Sequence, residues 1–416
     1  MITKRLLCWV IGLLLVVAFV SIVGADNGSF TNTVMRPDRE TRLKWMEAYE
    51  AAPSAAIDRD LGLNIPFKVS ISLLSLLNYI PSERDQGACN NCWAWAGTGI
   101  MEIALSVQEA VFDRLSIEFI SSCNGTMACC EGGWLDNLTD FYSFQGYAIP
   151  WSNTNAAWQN GDGNCNVLCD LISTTPNYAI ASITPATIST HGVGKTEAIA
   201  HIKNILNQGK AIFFGFFMGT STDWINLFSF WNNESESGLW DFDASCGKVY
   251  TSGGGGHAVL CVGYNDDDPN NAYWIMVNSW GTTAKRPNGI FRVDMDMDYD
   301  CYFIDGGYAY YSLYWQTLNV DFDIVNEVLY VEPSGSCGGN TPCFVTIREA
   351  IDAAGSGAAI RIAGERYDEA VGLSTPKVLT LQGGWDVMFT SRSSSTTINS
   401  LTVGSGTVNA EYLVCQ

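Results

Sequence analysis

Apolar positions along this chain first run unbroken, then recur at helical spacing, and finally cluster in short bursts between turns. The unbroken run, Leu6 to Val23, follows Lys4 and Arg5 and precedes the small residues Gly24 and Ala25. That order predicts an export signal over residues 1–25, cut after Ala25, with an uncleaved membrane anchor as the alternative because the run exceeds the usual signal core of about 7–15 residues. Residues 26–62 form a charged, alanine-rich segment in which Leu43, Met46 and Tyr49 share one helical face. A short amphipathic helix is expected over Thr41–Ala52, stopped by Pro53, either packed or inhibitory. Helical patterns also cover Cys92 to Val111 and Thr196 to Asn207, the latter ended by Gly209.

Beyond Lys210 the bursts Ala211–Phe217, Ala258–Tyr264, Tyr273–Val277 and Ile290–Val293 predict strands between Gly, Asn and Asp turns. The aromatic, Ser/Asn/Gly-rich stretch from Trp224 to Gly256 reads as a long surface insertion. From about Asn319 charged residues thin out and β-formers take over, as in Ala359–Ala363, Lys377–Leu381 and Ser400–Val403. A domain boundary is placed near Thr317 on that shift, leaving a main domain over 63–317 and a β-rich tail over 318–416.

Composition narrows the function. Apolar residues make up 47% of the 416 and charged residues 16%, enough for a packed core. A formal charge of −21 without a basic cluster argues against nucleic acid. Fourteen cysteines suit an oxidising compartment, secreted, extracellular or periplasmic. Cys8 lies in the signal run, so thirteen remain and at least one is free or intermolecular.

The sharpest chemical signal is Gln86-Gly-Ala-Cys-Asn-Asn-Cys-Trp-Ala-Trp95 at the start of a helical pattern. The unpaired N–H groups of a helix start stabilise a thiolate, so Cys92 stands where a nucleophile belongs. Its own N–H and the Gln86 amide are candidate donors to an oxyanion. Three histidines are available as base. His191 in a turn and His201 inside a helix read as packing or surface residues. His257 opens an apolar strand, and Asn278 ends the next one, where it would accept a hydrogen bond from the imidazole.

Taken together these segments resemble the papain-like cysteine peptidases. That family's Gln-Gly-x-Cys-Gly-Ser-Cys-Trp-Ala-Phe is matched by Gln86, Gly87, Cys89, Cys92, Trp93 and Ala94. Its His-Ala-Val-x-x-Val-Gly-Tyr is matched from His257 through Val262, Gly263 and Tyr264, and its Asn-Ser-Trp-Gly by Asn278 to Gly281. Leu115-Ser-Ile-Glu118 with Cys123, and Cys130-Glu-Gly-Gly133, match two further stretches. The resemblance runs from about Pro81 to Tyr314 and implies an α+β, two-lobed fold, a helical lobe followed by a β-barrel-like one. It implies Gln86 as oxyanion donor, Cys92 as nucleophile, His257 as general base then acid, and Asn278 as its orienter. Trp280 would shield the His257–Asn278 bond, and Gly132 and Gly133 would pair with the substrate backbone. Disulfides are implied between Cys89 and Cys130 and between Cys123 and either Cys165 or Cys169.

The family spaces its histidine and asparagine about 130–150 residues after the nucleophile, whereas here they fall 165 and 186 residues after it (257 − 92 and 278 − 92). The excess is assigned to the Trp224–Gly256 insertion. Asn90-Asn91 stands where Gly-Ser is usual, and Gly256 where Asp or Asn is usual. Four consecutive glycines, Gly253 to Gly256, predict a flexible approach to His257.

A zinc half-site or redox dithiol at Cys89 and Cys92 is set aside, because export oxidises such thiols, and neither a metal nor a cofactor is expected. Cys337 and Cys343 suggest a local disulfide. The run Asp294-Met-Asp-Met-Asp-Tyr-Asp300 reads as an acidic strand with all four carboxylates on one face, or else a calcium loop. In the tail, Phe344–Ala354, Ala359–Ala363, Tyr367–Glu369 and Leu379–Gly384 resemble the opening of a right-handed parallel β-helix, which implies a binding or structural module with a possible carbohydrate or surface partner. The function expected is therefore a secreted peptidase that acts on peptides or proteins through a Cys92 acyl-enzyme. The alternative is a weakly catalytic scaffold whose tail serves as an adhesin or carbohydrate binder.

Overall fold

The computed structural model describes residues 33–109, 111–323, 327–355, 357–375, 377–404 and 407–416. The expected signal or anchor over residues 1–25 lies outside them. Among the described residues no helix is long and apolar enough to cross a membrane.

Local chemistry sets the helix ends. Helix α1, Arg39–Ala51, starts where the Asp38 carboxylate accepts the Thr41 N–H at 2.8 Å. Helix α2 spans Cys92–Glu109 and is buried along most of its length. Ser116 caps α3, Ile117–Cys123, and Gly146 in the left-handed region ends α4, Leu135–Gln145. Helix α5 is Lys195–Asn207, and Thr220 caps α6, Ser221–Asn233.

The strands follow in chain order as β1 Ser70–Ser72, β2 Tyr147–Ala148, β3 Tyr178–Thr187, β4 Ile212–Met218, β5 Leu239–Trp240 and β6 Lys248–Val249. Then come β7 Gly255–Asn265, β8 Tyr273–Val277, β9 Ile290–Asp294, β10 Tyr302–Asp305, β11 Tyr308–Tyr311 and β12 Leu313–Phe322. One sheet runs β2-β3-β12-β4-β7-β8-β9-β5, with β1 added on β7, and a small sheet runs β11-β10-β6. Helices α2 and α5 both pack on β7, and side chains of both faces of β4 and β7 are buried. That is why β4 reads as seven consecutive buried residues rather than an alternation. Gly215 within it admits the Trp134 ring, which a Cβ there would meet at 2.3 Å.

Three expectations change. The stretch 224–256 is not a surface insertion, because α6 and the segment after it bury Trp224, Phe228, Trp231 and Phe242 in the main core. The boundary near Thr317 falls inside β12, which stays paired with β3 as far as Phe322. The acidic run is a turn after β9 rather than a strand: Met295, Met297 and Tyr299 point inward, and Asp294 and Asp298 accept backbone N–H groups at 2.9 Å. Among the described residues its carboxylates do not converge as a calcium site requires.

The tail keeps its own core of Leu, Ile, Val and Ala side chains, distinct from that of the main domain. Its elements are β13 Val328–Val331, β14 Cys343–Phe344, α7 Ile347–Ala353, β15 Ala359–Ala363, β16 Arg366–Leu373, β17 Val378–Trp385, β18 Thr396–Val403, β19 Thr407–Glu411 and β20 Leu413–Cys415. All pairings are parallel, in the orders β14-β13-β15-β17-β19 and β16-β18-β20. From β15 onward the chain alternates between these two sheets.

Candidate active site

Cys92 is the first residue of α2, and the turn that starts the helix is closed by Ala94 and Trp95 N–H groups donating to the Asn91 carbonyl. His257 lies near the start of β7 and Asn278 just beyond the end of β8, so neighbouring strands set their separation. His257 Nε2 sits 2.8 Å from Asn278 Oδ1. An amide oxygen only accepts, so Nε2 carries the proton and Nδ1 keeps its lone pair. Nδ1 is buried and has no hydrogen-bond partner among the described residues, which leaves it free to act as a base. The Trp280 ring stacks on the imidazole at 4.5 Å and 22°.

Gln86 is held by the segment that also supplies Asn278. Its N–H donates to the Ser279 carbonyl at 2.8 Å, and its Oε1 accepts the Ser279 hydroxyl at 2.6 Å. This fixes the amide so that Nε2 points toward Cys89 O, at 2.8 Å, and Thr33 O, at 3.3 Å. Ser279 stands inside the Asn-Ser-Trp-Gly motif, yet the motif alone does not reveal its part in aiming Gln86. Trp280 is backed by Phe228 and Trp231 of α6 at 5.2 and 5.8 Å, so the stretch first read as a loop builds the wall behind the histidine.

Gly132 and Gly133 stand apart in environment. A Cβ on Gly133 would meet the Trp93 ring at 2.5 Å, so this glycine allows close packing against the residue that follows Cys92. A Cβ on Gly132 would meet Met35 and Trp45 at 3.2 Å. The glycines before His257 are tightly packed rather than loose: a Cβ on Gly256 would come within 2.7 Å of Phe217, and on Gly255 within 2.8 Å of Met35 O.

Met35 belongs to a strap, Thr33 to Arg36, that crosses the site. Thr33 Oγ1 reaches Cys89 O at 3.1 Å, Met35 exchanges two 2.9 Å backbone bonds with Gly256, and Arg36 donates to the Gly253 and Gly254 carbonyls. The strap thus spans from the Gln86 wall to the His257 wall. Cys92 is 0% and His257 1% exposed. Burial pushes the Cys92 thiol up to about 12, against the smaller pull of nearby backbone N–H groups, and pushes the His257 imidazole down to about 4. Burial thus favours the thiol and the imidazole over their ions while the site is covered.

Among the described residues five disulfides are formed: Cys89–Cys130, Cys123–Cys169, Cys129–Cys165, Cys246–Cys301 and Cys337–Cys343. Cys92, Cys261 and Cys415 are the free thiols among the described residues. His191 and His201 bond instead to the Leu313 and Ser189 carbonyls.

Comparison with known proteins supplies the context. Residues 76–199 and 235–310 match the papain family cysteine protease family. The break, 200–234, includes α6 and lies earlier than the insertion expected from motif spacing. A cathepsin B-like protein of Giardia intestinalis is 27% identical over 221 residues, 51% of this chain and 64% of that protein. A senescence-specific cysteine protease of Oryza sativa subsp. indica is 24% identical over 217 residues, 51% of this chain and 54% of that protein. The chain thus spans between about half and two thirds of the length of these relatives. Among solved structures, a digestive procathepsin L proteinase from Tenebrio molitor larval midgut is 17% identical with a TM-score of 0.44, covering 68% of this chain and 76% of its own. A recombinant stem bromelain precursor is 18% identical with a TM-score of 0.44, covering 71% and 85%.

Proposed function

We propose that the papain-family cysteine protease domain carried by residues 76–310 hydrolyses peptide bonds through an acyl-enzyme on Cys92 and is latent while the strap lies over it. The observation that carries this reading is the bonding of His257 to Asn278 and of Gln86 to the adjoining Ser279, on strands against which the helix that opens at Cys92 is packed. In the reaction, His257 Nδ1 takes the thiol proton as Cys92 Sγ attacks the substrate carbonyl carbon. The oxyanion is held by the Gln86 Nε2 and Cys92 N–H donors, and the imidazolium returns its proton to the leaving amine. Water deprotonated by the same nitrogen then attacks the thioester carbonyl and releases Cys92.

The strap stands in the way of each step, because Thr33 occupies the Gln86 amide and the desolvated site favours thiol and imidazole over their ions. Displacing residues 33–36 rehydrates the site, lowers the thiol value and raises the imidazole value, so that each charge supports the other. The scaffold alternative is disfavoured by the completeness of the catalytic set. Export is supported by the five disulfides, and the tail's alternation between two parallel sheets supports a short parallel coil with a structural or binding role.

The test is iodoacetamide or epoxide labelling, followed by peptide mapping and hydrolysis of a mixed peptide library, before and after cleavage of the strap. Labelling of Cys92 and turnover should both appear on cleavage. A cleaved, folded protein in which Cys92 stays unreactive contradicts the assignment.

A further inference from the structure

Outside the cleft, α1 and the β10–β11 hairpin enclose a groove of about 920 Å³. Its apolar surface comes from Leu43 and Met46 on one side and Tyr311 and Tyr314 on the other. Glu47 and Glu50 line it from α1 and Asp300 from the facing wall. Among the described residues none of these three carboxylates is in an ion pair.

The groove also presents an open strand edge. Strand β11 ends its sheet, pairing among the described residues with β10 alone. The hairpin turns over Gly306 and Gly307, with Asp305 opposite Tyr308, and Ser312 N–H donates to Cys301 O at 2.8 Å. On the far side of β10 the Tyr302 and Ile304 carbonyls serve Gly247 and Tyr250. Bonded and non-bonded pairs alternate in an antiparallel ladder, so Ala309 and Tyr311, opposite Ile304 and Tyr302, turn their backbone groups outward. The Tyr311 carbonyl accepts the Tyr314 hydroxyl, which leaves both groups of Ala309 and the Tyr311 N–H unpaired among the described residues.

We propose that this groove docks an extended, lysine- or arginine-bearing segment of a protein substrate, which adds to β11 as a further strand while its cations meet Glu47, Glu50 and Asp300. An open edge supplies main-chain hydrogen bonds for such a strand, and the rim supplies charge complementarity. A substrate fits better than an unrelated partner because groove and cleft share a wall. The Tyr314 ring packs edge-on against Trp134 at 5.6 Å and Phe217 at 5.9 Å, and Phe217 pairs with Gly256 beside His257. The assignment of the occupant as substrate rests on the peptidase reading above, whereas binding does not.

Binding is measured by fluorescence anisotropy on full-length Cys92→Ala protein, with a labelled decapeptide alternating lysine and leucine and its glutamate-for-lysine counterpart. The lysine peptide should bind and the glutamate peptide should not. Combined Glu47→Gln, Glu50→Gln and Asp300→Asn should weaken binding about tenfold, because ion pairs near the surface each contribute modestly. Ala309→Pro, which removes an outward N–H without touching the β10 ladder, should weaken it comparably and separates strand addition from attraction to an acidic protein in general. With strap-cleaved wild-type enzyme, a peptide substrate carrying the lysine–leucine tail should show a lower KM than the same substrate without it. That advantage should vanish in the triple variant at unchanged kcat. Equal binding of both peptides, or wild-type binding in both variants, overturns the docking site. Binding as expected with a KM advantage that survives the triple variant overturns its role in substrate capture. Failure to turn over any short peptide would count against the peptidase reading and leave the binding result standing.

Discussion

The main domain and the tail fold around different kinds of interior. The first buries Trp95, Trp134, Trp224, Trp231, Trp274 and Trp315 completely and threads polar groups among them, including Arg84, Gln86, Glu102, Glu118, His257, Asn278 and Arg286. The second stacks Leu329, Val331, Ile360, Ile362, Leu379, Leu381 and Ile398, with Glu332 and Thr396 as its buried polar side chains among the described residues. Buried polar groups are costly unless paired, and they concentrate in the region that carries the chemistry. Repeated aliphatic layers give a tail that is stable without preorganising anything. Function and stability should therefore respond to different substitutions in the two regions.

The largest effect expected is on rate. Cys92→Ala or His257→Ala should lower turnover by several orders of magnitude while thermal unfolding moves little, since removing one member of a cooperating set costs nearly as much as removing all. A substitution in the tail core such as Leu381→Ala should do the reverse: about 2–5 kcal/mol of tail stability lost, with kcat/KM unchanged. Turnover that falls with the tail would show the two regions to be one functional unit.

Truncation sharpens the same contrast. Ending the chain after Asp323 should leave a folded, hydrolytic domain after strap cleavage. Ending it at Thr317 removes Val320 and Phe322 from the core and strips Gln108 of its bonds to Val320 O and Phe322 N. Each buried side chain is worth about 1.5–3 kcal/mol, so the shorter product should melt markedly lower. Equal melting of the two would mean that β12 ends, in energetic terms, where the composition changes.

That boundary illustrates what sequence could and could not deliver. Charged residues thin out within the last strand of the main sheet, so composition marked the shift a few residues early, while register with β3 decides where the strand stops. The segments around Gln86, Cys92, His257 and Asn278 were legible because the chemistry demands particular side chains next to fixed backbone landmarks; the structure bonds His257 to Asn278 and Gln86 to Ser279 and sets Cys92 at the first position of α2. Helix α6 was missed although Trp224, Leu227, Phe228 and Trp231 fall at i, i+3, i+4 and i+7, because the surrounding Ser, Asn and Gly suggested a loop. Cys129–Cys165 and Cys246–Cys301 could not be chosen, since spacing does not fix connectivity. The strap carries no period, and bonds to distant segments, to Gln86 and Cys89 at one end and to Gly253, Gly254 and Gly256 at the other, give it a structure.

The smallest effect expected is on stability against pH, and it again separates the regions, because all three histidines precede the tail. Burial lowers His257 from the usual 6.5 to about 4 in the covered, folded protein. Between those values the unfolded chain binds the extra proton and the folded one does not. The stabilisation from keeping this imidazole neutral is therefore full above about pH 6.5 and is lost as pH falls toward 4. At 1.36 kcal/mol for each pKa unit it amounts to something on the order of 3 kcal/mol. His191, also lowered by burial, acts in the same direction. Glu102 acts in the opposite one: burial raises its carboxyl to about 7, so acidification from neutral pH stabilises the fold through that group. A melting curve of the whole protein mixes these contributions, and the histidine is isolated by difference. The gap in melting temperature between wild type and His257→Gln should change steadily from pH 7 to pH 4, with wild type losing ground on the acid side. Cleaving the strap should shrink that change, because a rehydrated imidazole titrates nearer its ordinary value. A gap that is flat with pH in the covered protein would mean that His257 is not held neutral by burial, and latency would then have to rest on steric blockage by Thr33 and Met35 alone.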